Sequence, residues 1–475
     1  MRKATGLLAL LPLFASACAA GPAYERPEPP AVAAGAFVTQ SAGTDAAADL
    51  PDDWWRLYRD PVLDSLIERA FAANTDLRLA SANLAKARAV LQESRAGRLP
   101  STDLSGGASY GDAVQGMGGS AGEAQWSGNA GLSVAWEVDL FGRVGRAIQA
   151  ARADAEAVAA ARDAVRVTVA AETTRAYLDA CAAAFALDVA RQSFQTSSDS
   201  ARMVAAQERA GSAAKLDAER AAAAAATARA AIPTLEGQRQ IALFELAALL
   251  GGTPADVPEA ARSCAVPPAP VTALPVGDGA ALLRRRPDLR QAERQLAADT
   301  ARIGVATAAL YPRISLGGSG NFFRSEAVKG SDSFSFSLGP LISWSFPNMA
   351  VARARLRQAE AQGAAALAAF DGHVLTALKE VEQALTLVAT EQQRLDALRE
   401  AQERSEAAYK LADLRYRAGS IANLDLLVAQ ADMLAARASY ASSLQRLSSA
   451  RVDLFKALGG GWQMAETAAA AAAAE

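Results

Sequence analysis

The chain is written twice. Asn74-Thr75-Asp76-Leu77-Arg78 returns 212 residues later as Arg286-Pro287-Asp288-Leu289-Arg290, and Leu77, Leu84 and Leu91 fall at the same spacing onto Leu289, Leu296 and Ile303. At a spacing of 208, Trp136 returns as Trp344, Arg209-Ala210-Gly211-Ser212 as Arg417-Ala418-Gly419-Ser420, Leu216-Asp217 as Leu424-Asp425, and Leu250-Gly251-Gly252 as Leu458-Gly459-Gly460. One connection between residues 91 and 136 is therefore four residues shorter in its second version. A repeat this ordered commits both halves to one succession of elements, so any fold proposed for one half must serve the other.

Each half opens on a predicted helix, 61–97 and 287–311, with apolar residues seven apart along a narrow seam. Pro100 and Pro312 end these helices. Two alternating segments follow in each half: 101–110 and 126–140, then 313–323 and 333–346. Leu132, Val134, Trp136, Val138 and Leu140 interleave with Ser133, Ala135, Glu137 and Asp139; Phe334, Phe336, Leu338, Ile342, Trp344 and Phe346 interleave with Ser and Gly. A period of two puts the apolar set on one face of a sheet and the polar set on the other. Gly/Ser-rich loops, 111–125 and 324–332, separate the strands of each pair. Long helices over 143–208 and 350–416 come next, each about 100 Å at 1.5 Å per residue. Each turns back at Ala-Gly-Ser, and the returning helix ends at Gly251 or Gly459. Pro233 predicts a kink in the first returning helix.

The domain reading is a leader 1–17, an extended N-terminal segment 18–60, a first repeat 61–252, a Pro-rich linker 253–277, a second repeat 278–462 and a disordered Ala-rich tail 463–475. Basic Arg2-Lys3, an apolar run over residues 7–15 and Ser16-Ala17 form a secretory leader, whose removal changes the net charge from −3 to −5. Cys18 directly after Ala15-Ser16-Ala17 resembles a bacterial lipoprotein box, although Ala15 stands where the usual pattern has Leu. The alternative is ordinary leader cleavage that leaves Cys18 an unmodified thiol.

Charge is nearly balanced, with 48 Lys+Arg against 51 Asp+Glu, so the chain lacks the basic surface that nucleic acid requires. A single histidine, His373, puts most histidine metal sites and catalytic triads out of reach, and the cysteines Cys18, Cys181 and Cys264 form no CxxC pair. Cys181 reads as a packing residue on an Ala-rich helix face and Cys264 as a linker residue; whether they are bridged stays open. Beyond the leader, no run of about 18 apolar residues exists. A membrane crossing must therefore use β-strands. Four strands are too few to close a barrel, since even about eight leave room only for side chains. Three chains would supply twelve strands and a lumen. The expected fold class is mainly α with a membrane β-barrel part: a duplicated repeat of long antiparallel helices and a two-stranded hairpin, assembled as a trimeric barrel above a periplasmic α-barrel.

Cys18-Ala19-Ala20-Gly21-Pro22-Ala23-Tyr24-Glu25-Arg26-Pro27, Trp54-Trp55-Arg56-Leu57-Tyr58-Arg59-Asp60-Pro61, Arg286-Pro287-Asp288-Leu289 and Tyr311-Pro312 resemble the lipoprotein, NodT/OprM-like branch of the TolC-type outer-membrane efflux family. The resemblance runs in order over residues 18–462. It implies a homotrimeric, non-enzymatic exit duct in the outer membrane, docked on a periplasmic adaptor and an inner-membrane RND pump, exporting drugs or other small molecules. It implies no cofactor beyond a covalent lipid on Cys18.

The resemblance also implies a periplasmic gate. Asp425 matches a position that forms an acidic ring, Leu424 an apolar constriction, and Tyr416 a tyrosine that ties the closed hairpins to a partner matched by Asp217. Two positions depart: Val428 stands where a second acid is usual and Ile421 where a gate arginine is usual. The tips Ala210-Gly211-Ser212 and Ala418-Gly419-Ser420 would meet the adaptor. Read from residues alone, Asp425 is equally a solvated helix charge, Tyr416 a packing residue and each tip plain turn chemistry. Gly118-Gly119-Ser120-Ala121-Gly122 matches GxSxG but sits between strands, not at a strand-to-helix turn, and Gly116-x-Gly118-x-x-Ala121 has no βαβ context. Alternative functions are a non-channel, periplasm-spanning lipoprotein or adaptor, which leaves the alternating strands unexplained, and a type I protein-secretion channel.

Overall fold

The computed structural model describes residues 20–28, 31–39, 43–112, 124–270, 273–325 and 328–463. The leader, Cys18, the Gly118–Gly122 motif and the tail from residue 464 lie outside them. The first half runs α1 (Pro61–Ala73), α2 (Thr75–Ala96), β1 (Ser101–Asp112), β2 (Ala124–Val138), α3 (Arg143–Arg209) and α4 (Lys215–Leu249). The second runs α5 (Gly279–Arg285), α6 (Pro287–Ala308), β3 (Arg313–Arg324), β4 (Phe334–Ser343), α7 (Ala350–Arg417) and α8 (Asn423–Ala457). The helix expected over 61–97 is two helices. The Asn74 side chain accepts hydrogen bonds from the N–H groups of Asp76 (2.9 Å) and Leu77 (3.2 Å) while its own backbone is extended, so it caps α2 instead of continuing α1. Arg286 makes the equivalent break before Pro287. Helix α4 passes Pro233 without interruption. The linker is not wholly extended: it holds helical turns at Pro254–Asp256 and Glu259–Arg262, and its Leu274–Pro275 strand pairs in parallel with Thr44–Asp45.

Backbone contacts divide the chain into two compact units. The first takes residues up to Glu28, Asn83–Ala159 and Arg290–Asp371. Its centre is a four-stranded antiparallel sheet in the order β1-β2-β3-β4, so that the β2–β3 pairing joins the two halves. Strand β2 stops at Val138, short of residue 140, because the Asp139 carboxylate turns to accept the N–H groups of Val144 (2.9 Å) and Gly145 (2.7 Å) at the start of α3. Strand β4 stops at Ser343, short of 346, because its partner in register is Arg313, and Pro312 ahead of Arg313 has no N–H to extend the ladder. The same bond recurs at the foot of each hairpin: the Trp136 indole donates to the Arg98 carbonyl (2.9 Å) and Trp344 to Leu310 (3.1 Å). Residues 20–28 are fastened here. Arg146 donates to the carbonyls of Ala20 (3.2 Å) and Gly21 (3.1 Å), and the Tyr24 hydroxyl donates to Glu293 (2.5 Å). Gly21 has φ +86°, and a Cβ on it would lie 2.5 Å from the Gly304 Cα, so this crossing demands glycine.

The second unit takes Pro29–Ala82, Ala160–Leu289 and the chain from Gly372. Its core is Trp54, fully buried and stacked on Phe455 at 4.6 Å, with Leu63, Ile67, Leu246, Leu454 and Leu458 around the pair. A clasp recurs in both halves. Asn74 donates from its amide to the Leu249 carbonyl at the end of α4 (3.0 Å), and Arg286 donates to the Ala457 carbonyl at the end of α8 (3.0 Å). Arg286 also pairs with Asp288 and Glu380. Cys181, fully buried on α3, is disulfide-bonded to Cys264 in the linker, which settles the question the sequence leaves open. His373 is exposed on α7.

The bridge spans 83 residues. Closing a loop of that length in the unfolded chain is worth up to about 4.5 kcal/mol in the chain-entropy description. Reductant is therefore expected to lower the thermal unfolding midpoint of the purified protein, and a Cys181→Ser/Cys264→Ser double variant to start lower and ignore reductant. An unchanged midpoint in both cases would show that the bridge contributes nothing to stability.

Candidate channel surface and gate

The register of the sheet sorts its side chains without ambiguity. On one face Leu104 stands opposite Leu132, Tyr110 opposite Trp126, Trp136 opposite Leu316, Ile314 opposite Ile342 and Phe322 opposite Phe334. On the other, Ser105 faces Gly131, Asp103 faces Ser133, Ser133 faces Ser319, and Ser319 faces Ser337. Hydroxyl pairs bridge Ser109 to Ser127 and Ser319 to Ser337, each at 2.9 Å. Leu341 and Phe323 are exceptions, placed on the polar face by their pairing with Ser315 and Asn129. The apolar face is uncovered within the chain: Leu104 is 83%, Leu338 87% and Phe336 89% exposed. An apolar, aromatic face of this extent is stable only against lipid or another protein. Trp126 and Trp136 lie ten residues apart on β2. That is about 34 Å along the strand, or roughly 25 Å of height at the tilt of barrel strands, the thickness of an outer-membrane apolar band.

The helical tips are built identically. Gly211 has φ +75° and Gly419 φ +71°, left-handed values that relieve a side-chain clash only in glycine. The Gly211 N–H donates to the Glu208 carbonyl and the Ser212 N–H and hydroxyl to that of Gln207; Gly419 donates to Tyr416, and Ser420 donates twice to Arg415. The serine thus closes its own turn, so turn chemistry accounts for Ala210-Gly211-Ser212 and Ala418-Gly419-Ser420 locally and leaves the tips exposed.

Near the tips the structure brings Tyr416 to Gln207, not to Asp217. The Tyr416 hydroxyl donates to the Gln207 Oε1 at 2.6 Å, while Asp217, in the first turn of α4, sits 3.9 Å from Arg220 one turn along. The tyrosine–aspartate tie expected by resemblance does not form within the chain. Gln207 lies one turn before the Gly211 reversal on α3, and nothing in the repeat marks it, since its counterpart at a spacing of 208 is Arg415. Asp425 sits in the first turn of α8, where its carboxylate accepts the Ala422 N–H (3.2 Å) and faces the positive end of the helix. Leu424 is 48% exposed and Val428, one turn on, 52%. They form an apolar stripe that is about half exposed.

Two further ties hold α8. Gln430 donates to the Ser197 hydroxyl at 3.0 Å in the buried contact with α3, and Arg437 pairs with Glu406 of α7 at 2.7 Å. The Arg437 guanidinium holds the Glu406 carboxyl below the usual carboxylate range. Gln430 was readable in principle: it interrupts a buried stripe of Leu426 and Met433 at helical spacing, and a polar residue in such a stripe needs a partner. Among the described residues no group of acids, cysteines or histidine has the arrangement of a metal site, and no helix is long and apolar enough to cross a membrane.

Known proteins share this arrangement. The sequence model of the family described as outer membrane efflux protein matches residues 66–252 and 280–460. Outer membrane protein OprJ of Pseudomonas aeruginosa is 34% identical over 97% of both chains. The toluene efflux pump outer membrane protein TtgC of Pseudomonas putida is 30% identical over 97% of this chain and 96% of its own. The solved outer-membrane channel OprN superposes with a TM-score of 0.85 at 36% identity, over 93% of this chain and 99% of that one.

Removing the Tyr416–Gln207 bond costs about 1 kcal/mol net, roughly fivefold in an equilibrium between closed and open tips. Tyr416→Phe and Gln207→Ala are each expected to raise the resting ion leak of bilayer-inserted protein about that much, the double variant no further, and Asp217→Ala not at all. A leak that follows Asp217 instead of Gln207 would overturn this assignment.

Proposed function

The chain belongs to the outer membrane efflux protein family, and from that premise we propose that it is the outer-membrane exit duct of a tripartite pump, passing drugs or other small molecules outward without enzymatic chemistry of its own. The observation that carries the reading is the uncovered apolar face of a sheet with only four strands. In lipid its two free edges would leave backbone N–H and C=O groups unpaired at several kcal/mol each. Three copies pool twelve strands, pair every edge and turn the Ser/Gly face inward to a water-filled lumen. Backbone hydrogen bonding thus demands further copies, and a lumen demands more than the eight strands that two copies supply.

The polar face of the sheet is mostly Ser and Gly among the described residues, and we place selection and energy with partners. We assign these as a periplasmic adaptor, met at the Gly211 and Gly419 tips, and an inner-membrane RND pump. Three Asp425 carboxylates about a narrow axis would repel one another and draw cations, and three Leu424 side chains would narrow the passage beside them. Asp425→Ala is expected to raise resting leak by removing one contribution to closure and one cap of α8.

We also propose a covalent lipid on Cys18. In sequence Cys18 precedes Ala20 by two residues, and the Ala20 N–H donates to the Phe141 carbonyl (3.1 Å), just past the end of β2. Acyl chains attached there would enter the same apolar layer. A protein-secretion duct is the second reading in the same class, and no feature of the chain favours it.

The protein extracted in mild detergent is expected to have the mass of three chains and to conduct ions in planar bilayers. A monomer that stays soluble without detergent and passes no current would end the proposal. Radioactive palmitate should label the wild type and not Cys18→Ser, and the variant should still conduct, because the barrel holds it in the membrane.

A further inference from the structure

Within the second unit the long helices stand in a fixed order. Arg191 of α3 pairs with Glu236 of α4. On its other side α3 meets α8 through Arg175 with Asp453 and Glu172 with Lys456. Helix α8 in turn meets α7 through Arg437 with Glu406 and Arg451 with Gln392. The order is therefore α4-α3-α8-α7, with a first-half helix on one flank and a second-half helix on the other. The 208-residue repeat makes α7 the counterpart of α3 and α4 the counterpart of α8. The strip of α3 turned to α8 holds Arg175 and Asp179, with Ala171 and Ala182 buried one turn to either side. Asp179 accepts from Gln445 (3.2 Å) and Ser449 of α8. Carried on by 208 residues, that strip becomes Lys379, Gln383, Leu387 and Thr390 of α7, and all four are exposed. The strip of α8 that serves the same contact holds Gln445, Ser449, Asp453 and Lys456, with Val452 beside them fully buried. Carried back by 208 it becomes Gly237, Ile241, Phe244, Glu245 and Ala248 of α4, again exposed throughout. The two bare strips suit each other. The polar pair Asp179 and Ser449 is replaced by Leu387, 44% exposed, and Ile241, 66% exposed. Lys379 and Glu245 are opposite in charge, and neither is engaged within the chain among the described residues. They stand in the same antiparallel register as Asp179 with Gln445, since their counterparts Ala171 and Asp453 lie eight residues further along both helices.

We propose that these two flanks are the helical interface between copies of the chain: α7 of one copy lies against α4 of the next as α3 lies against α8 within it, with Leu387 on Ile241 and Lys379 beside Glu245. The inference rests on the assembly of three copies proposed above and gives that assembly its sense. The flanks are different surfaces, so the contact is head-to-tail, and it ends in a ring when the rotation closes. The sheet of the first unit ends in the same way, on a first-half edge, β1, and a second-half edge, β4. One direction of succession therefore serves strands and helices alike. The apolar pair gains by leaving water, and the ion pair fixes the register in which the helices meet.

The test is cross-linking of the full-length protein in mild detergent with a short bismaleimide. The Ile241→Cys/Leu387→Cys double variant is expected to give bands of two and three chains on a denaturing gel and none larger, while the wild type and each single variant stay at one chain. Linkage in a single variant would mean a like-on-like contact, a ladder past three an open filament, and no linkage in the double variant a different interface; each overturns the proposal. Charge reversal reads the same contact without cysteine. Lys379→Glu and Glu245→Lys should each weaken association about fivefold per interface, seen as loss of the trimer at a lower temperature, and the double reversal should restore it. Losses that merely add would overturn the pairing of Lys379 with Glu245. Native mass spectrometry of the same samples separates this inference from the one beneath it: a three-chain mass without linkage rejects only these flanks, whereas a single-chain mass rejects the assembly itself.

Discussion

The backbone hydrogen bonds of four strands govern the rest of the molecule. The facing strands are paired in register over most of their length, from Ser101 with Ala135 to Phe322 with Phe334, and among the described residues the outer edges of β1 and β4 have no partner strand. In water those edges would be solvated. Against hydrocarbon they have no partner, and the exposed Leu104, Phe336 and Leu338 leave the sheet no other place to be. Assembly with further copies, as proposed, satisfies both the edges and the apolar face, and turns the polar face toward a lumen.

Much of this was legible because its signals are local and periodic. Period-two alternation located all four strands to within a few residues, and the 208-residue recurrence of Arg-Ala-Gly-Ser located both tips. Two of the misreadings share one cause, side chains that leave the periodic pattern to satisfy a backbone group. Asn74 caps α2 and breaks the expected first helix; Asp139 caps α3 and shortens β2. Neither choice is visible in hydrophobic spacing. The clasp that joins Asn74 to Leu249 and Arg286 to Ala457 shows the limit from the other side. The two halves keep the position and the bond while changing the residue from amide to guanidinium, so a search for identical residues sees the recurrence without its purpose.

The gate is expected from resemblance alone, and within the chain the hydrogen bonding differs from that expectation at one point. Tyr416 keeps its hydroxyl bond but takes Gln207, a neutral partner, in place of Asp217. Ile421 and Val428 stand at the two positions that depart from the family pattern, and the Tyr416–Gln207 tie is a hydrogen bond between neutral groups. Such a bond is weakly sensitive to salt, because screening acts on charges.

The α3–α8 contact is graded along its length. At the root it is held by Arg175 with Asp453 and Lys456 with Glu172, over a core of Trp54, Phe455, Leu454 and Leu458. Twenty or so residues nearer the tip it depends on Ser197 with Gln430, and the Gln430 Oε1, the Ser200 hydroxyl and both amide atoms of Asn423 are buried without a partner. Unpaired buried atoms occur at both ends, with Trp54 Nε1, Thr173 Oγ1, Arg175 Nε and Arg451 Nε at the root, so polar satisfaction does not grade the contact. What grades it is the apolar core, which gathers at the root together with the ion pairs and the disulfide-bonded Cys181. Local opening is cheapest where buried apolar contact is thinnest, and along this helix pair that is the end nearer Gly211 and Gly419.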